Sequence, residues 1–436
     1  MFAKNNARRA ILMRATAAVT MLGAASANAA GFYLQEQSAK AVGRAFSGEA
    51  ADQGAESLWW NPASIAGNAS SSAYVSASAI FPSTKVSNIN TLIKRPTNAT
   101  PVAVGGDQVS KNPIKNGVLP SGGVAYKLND QFAVGLAITS PFSFKTDYDA
   151  TSWARYTADK TSLTTIDIQP TIAFAPTPEI GIGIGINAEH SDATLSNALP
   201  NVSALLPDGS QTLKGKGWDF GWSTGVQFHP TAMLDIGFSY KSSIKHKLKG
   251  SVVFAGLAAP LAAQNGTINT DATFRTPWQA NASVRAHVNE ALTLNGSVTR
   301  VGWAKFDAIR LGAPLNAAIP EGYRNTWSYA AGFDYVLTPA WTLRAGVQRD
   351  LTPTQDGERD ARVPDGDRWN FAAGTSYKVS DSLSIDLAGM YTSVSKESID
   401  RTTAAFAGTA AQTPILVNGQ VKGHVLIGSV GARMSF

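Results

Sequence analysis

Read by twos from its carboxy terminus, the chain puts Phe436, Met434, Ala432, Val430, Gly428 and Leu426 on one face and Ser435, Arg433, Gly431 and Ser429 on the other. A two-residue period of this kind belongs to a strand with one apolar and one polar side. The period recurs along the chain. Leu234, Ile236, Phe238 and Tyr240 alternate with Asp235, Gly237, Ser239 and Lys241, and Trp218, Phe220, Trp222, Val226 and Phe228 oppose Asp219, Gly221, Ser223, Gly225 and Gln227. Leu383, Ile385, Leu387 and Tyr391 likewise oppose Ser384 and Asp386. Tight-turn chemistry falls at Asn129-Asp130, Pro176-Thr177-Pro178, His229-Pro230-Thr231, Asn289-Glu290, Thr338-Pro339 and Ser380-Asp381, where these residue types favour chain reversal. Six tight turns alternating with longer loops require about fourteen strands if both ends of the series lie on one side. The third is expected over 131–146, the ninth over 291–310 and the last over 423–436. The fold class is therefore all-β: a transmembrane antiparallel β-barrel of about 14 strands with lipid outside and a wet lumen within.

The amino-terminal residues do not share this pattern. Lys4, Arg8, Arg9 and Arg14 precede an apolar stretch from Ala15 to Ala25, and Ala27-Asn28-Ala29 has the small-x-small form of a signal-peptidase site, so 1–29 reads as a signal peptide. Its removal takes four basic residues and no acids, which lowers the formal net charge from +6 to +2. The basic balance is thus weak evidence for a nucleic-acid partner. Residues 30–71 are rich in Ala, Ser and Gly, with a helical stretch around Gln35 to Phe46. They form either a small helical hatch plugging the lumen or a periplasmic tail, and the barrel occupies 72–436.

Composition narrows the chemistry further. There is no cysteine, which excludes disulfides and thiolate metal sites. After the signal peptide no apolar run approaches the roughly 18 to 20 residues of a spanning helix, so any membrane crossing uses strands. The five histidines, at 190, 229, 246, 287 and 424, lack metal-ligand spacing. Gly221-Trp222-Ser223-Thr224-Gly225 has the spelling of a hydrolase elbow but lies inside strand alternation rather than at a strand-to-helix turn. Gly181-Ile182-Gly183-Ile184-Gly185 reads as small lumen residues between lipid-facing isoleucines, not as a dinucleotide loop. Asp356, Glu358, Asp360, Asp365 and Asp367 gather in one loop, as a solvated acidic surface or a calcium site.

Two stretches carry candidate ligand contacts. In 193–216, Leu195, Leu199, Val202 and Leu206 recur at helical spacing, and in 250–270 Val253, Leu257 and Leu261 do so beside Phe254. Apolar stripes in exposed loops either pack on one another or line a groove. In the third strand, Ser140-Pro141-Phe142-Ser143-Phe144 places a proline where the ladder needs a donor. This gives either a plain bulge or a gap in the wall.

The ordered set Ala30-Gly31-Phe32, Gly43-Arg44-Ala45-Phe46-Ser47-Gly48-Glu49-Ala50, Trp60-Asn61-Pro62-Ala63, Ala154-Arg155-Tyr156, Gly217-Trp218-Asp219-Phe220-Gly221-Trp222, Gly237-Phe238-Ser239-Tyr240-Lys241-Ser242 and Val363-Pro364-Asp365-Gly366-Asp367-Arg368-Trp369 resembles the FadL/TodX family. These are outer-membrane transporters of long-chain fatty acids and aromatic hydrocarbons. The resemblance covers essentially the whole mature chain. It implies a fourteen-stranded barrel plugged by a hatch holding Asn61 and Pro62, with passive uptake through an outer groove, a pocket at Phe32 and a lateral gap at Pro141, Phe142, Ser143 and Phe144. Glu321-Gly322-Tyr323-Arg324-Asn325 resembles the family segment that offers a basic residue to a fatty acid carboxylate, which assigns that role to Arg324. The family's second cation, on the fifth strand, has no counterpart around His190-Ser191-Asp192, which raises the weight of neutral aromatic substrates. Glycine, frequent in the family near Ser143, is absent. The resemblance further implies a monomer in the outer membrane of a Gram-negative bacterium, in contact with lipid and lipopolysaccharide, inserted by the barrel assembly machinery, and without cofactor. A general diffusion porin and, more remotely, an outer-membrane lipid hydrolase are the rival readings.

Overall fold

The computed structural model describes residues 31–436; the signal-peptide and cleavage assignments fall outside the described residues. Fourteen antiparallel strands form one sheet: β1 (Ser72–Asn88), β2 (Gly117–Lys127), β3 in two pieces (Phe132–Thr139 and Ser143–Asp147), β4 (Lys160–Thr177), β5 (Ile180–Leu199), β6 (Gly209–Thr231) and β7, also in two pieces (Leu234–Lys241 and Lys245–Ala255). There follow β8 in two pieces (Gly266–Arg275 and Gln279–His287), β9 (Leu292–Val301), β10 (Thr326–Thr338), β11 (Trp341–Asp350), β12 (Arg368–Ser380), β13 (Leu383–Ile399) and β14 (Gly419–Ser435). Each strand pairs with its neighbour in sequence, and β1 pairs with β14 from Ser72↔Ser435 to Asn88↔Gly419, which closes the barrel. Closure leaves no sheet edge to satisfy in lipid.

The alternation read from sequence sets the two faces. Ile180, Ile182, Ile184 and Ile186 on β5 and Trp218, Phe220 and Trp222 on β6 are exposed on the outer surface. The tight turns are held by their own side chains: Asn129 Oδ1 accepts from the N–H groups of Gln131 and Phe132, Asn289 Oδ1 from those of Ala291 and Leu292, and Thr338 Oγ1 from those of Ala340 and Trp341.

Residues 31–70 fill the lumen. One short helix, α1 (Ala39–Val42), is capped by Ser38, and three 3-10 turns follow at Glu49–Ala51, Ala55–Ser57 and Pro62–Ile65. The helical stretch expected over Gln35 to Phe46 is thus cut to one turn. Ala45 and Phe46 adopt left-handed backbone, φ 50° and 63°, so that the chain can reverse. The wall is shaped to this plug by its glycines. A Cβ on Gly183 would stand 2.2 Å from the backbone of Pro62, on Gly225 1.8 Å from Asn61 Oδ1, on Gly237 1.9 Å from the Ala50 carbonyl and on Gly346 2.1 Å from the Arg44 carbonyl. Gly181 and Gly183 of β5 face the hatch at Ala66 and Pro62, whereas a Cβ on Gly185 would meet Ser223, Thr171 and Gln169 of the wall.

Charge then fastens the plug. Arg44, buried, meets Glu49 at 2.8 Å, Asp52 at 2.5 Å and wall residue Asp334 at 3.1 Å. Lys40 meets Asp52 at 2.7 Å and Glu56 at 3.0 Å. From the wall, Arg344 reaches Asp334 at 2.6 Å and Arg433 reaches Glu56 at 3.3 Å. Removing one member of such a buried set leaves charges uncompensated, at a cost of roughly 3 to 5 kcal/mol.

Two expectations about strand extent change. The ninth strand stops at Val301, short of residue 310, because the chain leaves the wall through a 3-10 turn at Trp303–Lys305 and returns as a small hairpin, Ala308–Leu311 with Ala318–Pro320. The stripes in 193–216 and 250–270 are not helical: β5 and β6 stay paired up to Leu199↔Gly209, and Phe254 pairs with Gly266 at the end of β7 and β8. A spacing of four residues lies on one face of a strand as well as of a helix, so the leucines did not distinguish the two.

Gly346→Val should dislodge the hatch yet leave a closed barrel, read as retained heat-modifiable mobility with raised ion conductance in planar bilayers. Gly428→Ala, where an added Cβ meets nothing within 4 Å, should conduct like the native protein. A Gly346→Val barrel as tight as the native one would show that the hatch does not plug the lumen.

Candidate functional site

In the outer half of the lumen lies an almost wholly apolar cavity of about 50 Å³, lined by Phe32 from the hatch, Phe144 from β3, Leu163, Leu195, Leu213, Leu248 and Phe274 from the wall, and Phe306, Ile309, Glu321, Arg362 and Val363 from outer loops. Phe32 is its floor. That ring, 1% exposed, stands 4.9 Å from Trp303, 5.0 Å from Phe306, 5.9 Å from Phe144 and 6.0 Å from Phe142, centroid to centroid. Mostly edge-on, such contacts favour a fixed geometry.

Arg362 is the cation at this pocket. Its guanidinium donates to Thr161 Oγ1 at 3.3 Å, to the Ser196 carbonyl at 3.1 Å and to Asn197 Oδ1 at 3.0 Å. All three partners are neutral, and it forms no ion pair among the described residues. It also borders a larger groove, about 560 Å³, that opens outward between Leu199, Phe254, Arg401 and Phe406. Groove and pocket therefore meet at one planar, permanently charged donor, suited to a carboxylate.

The third-strand gap is geometrically explicit. Pairing of β2 with β3 ends at Gly122↔Ile138 and resumes only where Lys115 N–H donates to the Lys145 carbonyl at 3.0 Å. In between, the hatch takes the place of the missing strand. Leu34 N–H donates to the Pro141 carbonyl at 2.8 Å, Ser143 N–H donates to the Phe32 carbonyl at 3.1 Å, and Tyr33 faces Phe142 in an antiparallel bridge. Gln37 braces both sides: its Nε2 donates to the Ser140 carbonyl at 3.2 Å, and its own carbonyl accepts from Ser121 Oγ on β2 at 2.6 Å. On the β4 side, Ser140 Oγ donates to the Thr165 carbonyl at 2.5 Å. Pro141 gives up a donor where a lumen segment supplies other partners. Sequence reading missed Gln37, whose part depends on strands far away in sequence.

The expected site residues divide. Phe32, Phe144, Leu199 and Phe254 border the pocket or groove. Leu257 and Leu261 are buried with Leu199 and Ala411, with Val202 packed against them, so this part of the apolar loops is a core. Leu206 is exposed at a loop tip. Asn61 anchors the hatch, its Oδ1 accepting from Ala63 N–H at 2.9 Å and its Nδ2 donating to the Ala50 carbonyl at 2.6 Å, and Pro62 begins the turn seated on Gly183. Arg324 is corrected: it is exposed and lines neither cavity. Successive residues of an extended segment point to opposite sides; Tyr323 turns inward to the aromatic cluster, 5.1 Å from Phe306, and Arg324 turns out. A cation does reach the fifth strand from another loop: Arg362 docks on Ser196 and Asn197 of β5.

The acidic loop is largely neutralised by arginines: Asp356 by Arg359, Asp360 by Arg401, Asp365 by Arg368 and Asp367 by Arg349. No group of three acidic or histidine side chains able to hold a metal occurs among the described residues. Ser223 sits within the continuous strand β6, with no elbow to expose it. The fold does join His229 and His287 on Asp235, each at 2.7 Å, a pairing with no sequence signal.

A closed fourteen-stranded wall around an ordered lumenal plug defines an outer-membrane transport barrel. The family model described as outer membrane protein transport protein (OMPP1/FadL/TodX) matches residues 20–436, and the chain belongs to that family. A putative outer membrane protein of Neisseria meningitidis serogroup B is 28% identical, over 93% of this chain and 94% of that protein. The long-chain fatty acid transport protein of Escherichia coli O6:H1 is 26% identical, over 86% and 90%. Among solved structures, a Pseudomonas aeruginosa FadL homologue superposes with a TM-score of 0.82 at 24% identity, covering 93% of this chain and 100% of that one. The Ralstonia pickettii toluene transporter TbuX gives 0.61 at 17%, covering 94% and 99%.

Phe32→Ala should loosen the segment that seals the gap. Loss of a packed ring costs roughly 3 to 5 kcal/mol, so hydrogen exchange at the Leu34 and Ser143 amides should quicken by about a hundredfold or more while β1 and β14 stay protected. Unchanged protection at both amides would separate the pocket floor from the seal.

Proposed function

We propose that this protein takes up hydrophobic molecules bearing a carboxylate, long-chain fatty acids being the fitting class, by passive transfer from the outer groove to the Phe32 pocket and sideways into the membrane. Arg362 carries this reading: an arginine without a carboxylate partner at the mouth of an apolar cavity, reached from an open groove. An alkyl chain gains about 25 cal/mol for each Å² it withdraws from water, and the arginine holds the head group while the chain packs against Phe32, Phe144 and Phe274. Neutral aromatic hydrocarbons are the second reading, favoured by the aromatic floor. The filled lumen argues against a general diffusion porin, and transport without bond making needs no catalytic group and no cofactor. The gap, pocket and plug are all built within one chain, which supports a monomer set in outer-membrane lipid and lipopolysaccharide and inserted by the barrel assembly machinery, with no nucleic-acid partner.

Arg362→Ala should weaken dodecanoate binding roughly ten- to a hundredfold, the worth of a charge-assisted hydrogen bond, and leave toluene binding nearly unchanged, measured by calorimetry on the detergent-solubilised barrel. Arg324→Ala should alter neither. Equal losses for both ligands with Arg362→Ala would assign the arginine to loop structure instead.

The lateral exit has its own test. Tyr33 and Phe142 face one another across a bridge, a spacing that suits a disulfide, and no native cysteine competes. The doubly substituted Tyr33→Cys, Phe142→Cys barrel should lose uptake when oxidised and regain it on reduction. Normal uptake with a complete cross-link would sink the lateral route and favour passage past the hatch.

A further inference from the structure

Glu321 is the one carboxyl that lines the apolar pocket, and it shares that pocket with Arg362. The residue is 8% exposed. Its carboxyl group makes no hydrogen bond and no ion pair among the described residues, although its backbone N–H donates to the Asp307 carbonyl at 2.8 Å. It sits in the outer loops, just after the hairpin strand Ala318–Pro320. Four charged groups act on it: the carboxylates of Asp360 and Glu358 and the guanidiniums of Arg401 and Arg362. The Tyr323 hydroxyl is near as well. Arg401 is already held by Asp360 at 3.2 Å and by the Pro320 carbonyl. Arg362 alone faces it without an anionic partner.

We propose that Glu321 is an internal competitor for Arg362, standing aside as a neutral acid while a ligand carboxylate is bound and taking the arginine for itself when it loses its proton. This rests on Arg362 being the head-group site. The neutral form is the resting one: burial first, and then Asp360, push the Glu321 carboxyl up to about 8, against the pull of Arg401 and Arg362. A neutral carboxyl has an O–H to donate to the ligand carboxylate beside it; an ionised one repels that carboxylate and pairs with Arg362. The ligand's own carboxyl stays ionised across this range, so the change comes from the protein. The pocket thus discriminates by charge: acids are held at neutral pH and released as pH rises, whereas neutral ligands are indifferent.

The measurement is dodecanoate affinity for the folded barrel between about pH 6.5 and about pH 9.5, with dodecanol as the neutral probe. One proton linked to binding lowers affinity about tenfold per pH unit above the Glu321 pKa at full coupling. The native protein should show that fall for dodecanoate and not for dodecanol. Glu321→Gln, isosteric and always neutral, should bind dodecanoate equally well across the range, and Glu321→Ala should also be flat, which covers a folding defect in either variant. A flat native profile, or the same fall in both variants, overturns the proposal. Arg362→Ala at about pH 6.5 separates the two levels: dodecanoate affinity equal to native there refutes the head-group site itself, whereas a large loss there beside a flat native profile refutes the competition alone.

Discussion

Within a bilayer every backbone N–H and C=O must find a partner in the protein, and the organisation of this molecule turns on a break in the wall at the third strand. Between Ile138 and Lys145 the third strand has no second-strand neighbour, and hatch residues Phe32, Leu34 and Gln37 bond instead to its Ser143 amide and its Pro141 and Ser140 carbonyls. A lumen plug that supplies wall bonds cannot be an accessory. Its amino-terminal segment is at once the seal of the gap and, through Phe32, the floor of the pocket. The floor of the pocket and the seal of the gap therefore belong to a single stretch of six residues, 32–37.

The remainder of the hatch is held by close backbone approach and by charge. Wall glycines at 183, 225, 237 and 346 admit its backbone to distances that no side chain would allow. The Arg44, Asp52 and Asp334 network then ties it to the opposite wall. Ion pairs of this kind are poor sources of net stability, because desolvation opposes them, but they are exacting about position: a small displacement strands several charges at once. Shape and charge together fix residues 39–65, while residues 31–37 are held by hydrogen bonds to wall and loop residues and by one aromatic cluster.

Above the floor the chemistry is spare. Nearly all arginines that enter the lumen wall or the outer-loop core are matched to acids, and Arg362 is not. A cation held only by a hydroxyl, an amide oxygen and a carbonyl retains its capacity for an anion. Its place between an open groove and an apolar cavity is the observation on which the proposed head-group role rests. The same pocket holds Glu321, so a carboxyl and a guanidinium without an ion pair among the described residues line one cavity.

The sequence by itself determined the wall. Alternation, turn residues and the count of fourteen strands follow from a period of two, which is local and needs no tertiary knowledge, and Pro141 announced its broken ladder for the same reason. What it left undecided depends on which side of an irregular segment faces inward and on which distant segments meet. Leu195, Leu199 and Val253 lie at spacings common to helix and strand, so only pairing resolved them. In Glu321-Gly322-Tyr323-Arg324 the charged residue most suited to a carboxylate turns outward, because Tyr323 is drawn into the Phe306 and Trp303 cluster and an extended chain alternates. Arg362 reaches the pocket from a loop remote in sequence, and Gln37 acquires its role only between Ser121 and Ser140. Loops without periodicity carry no record of their own orientation, which is set by packing among segments brought together only when the barrel closes.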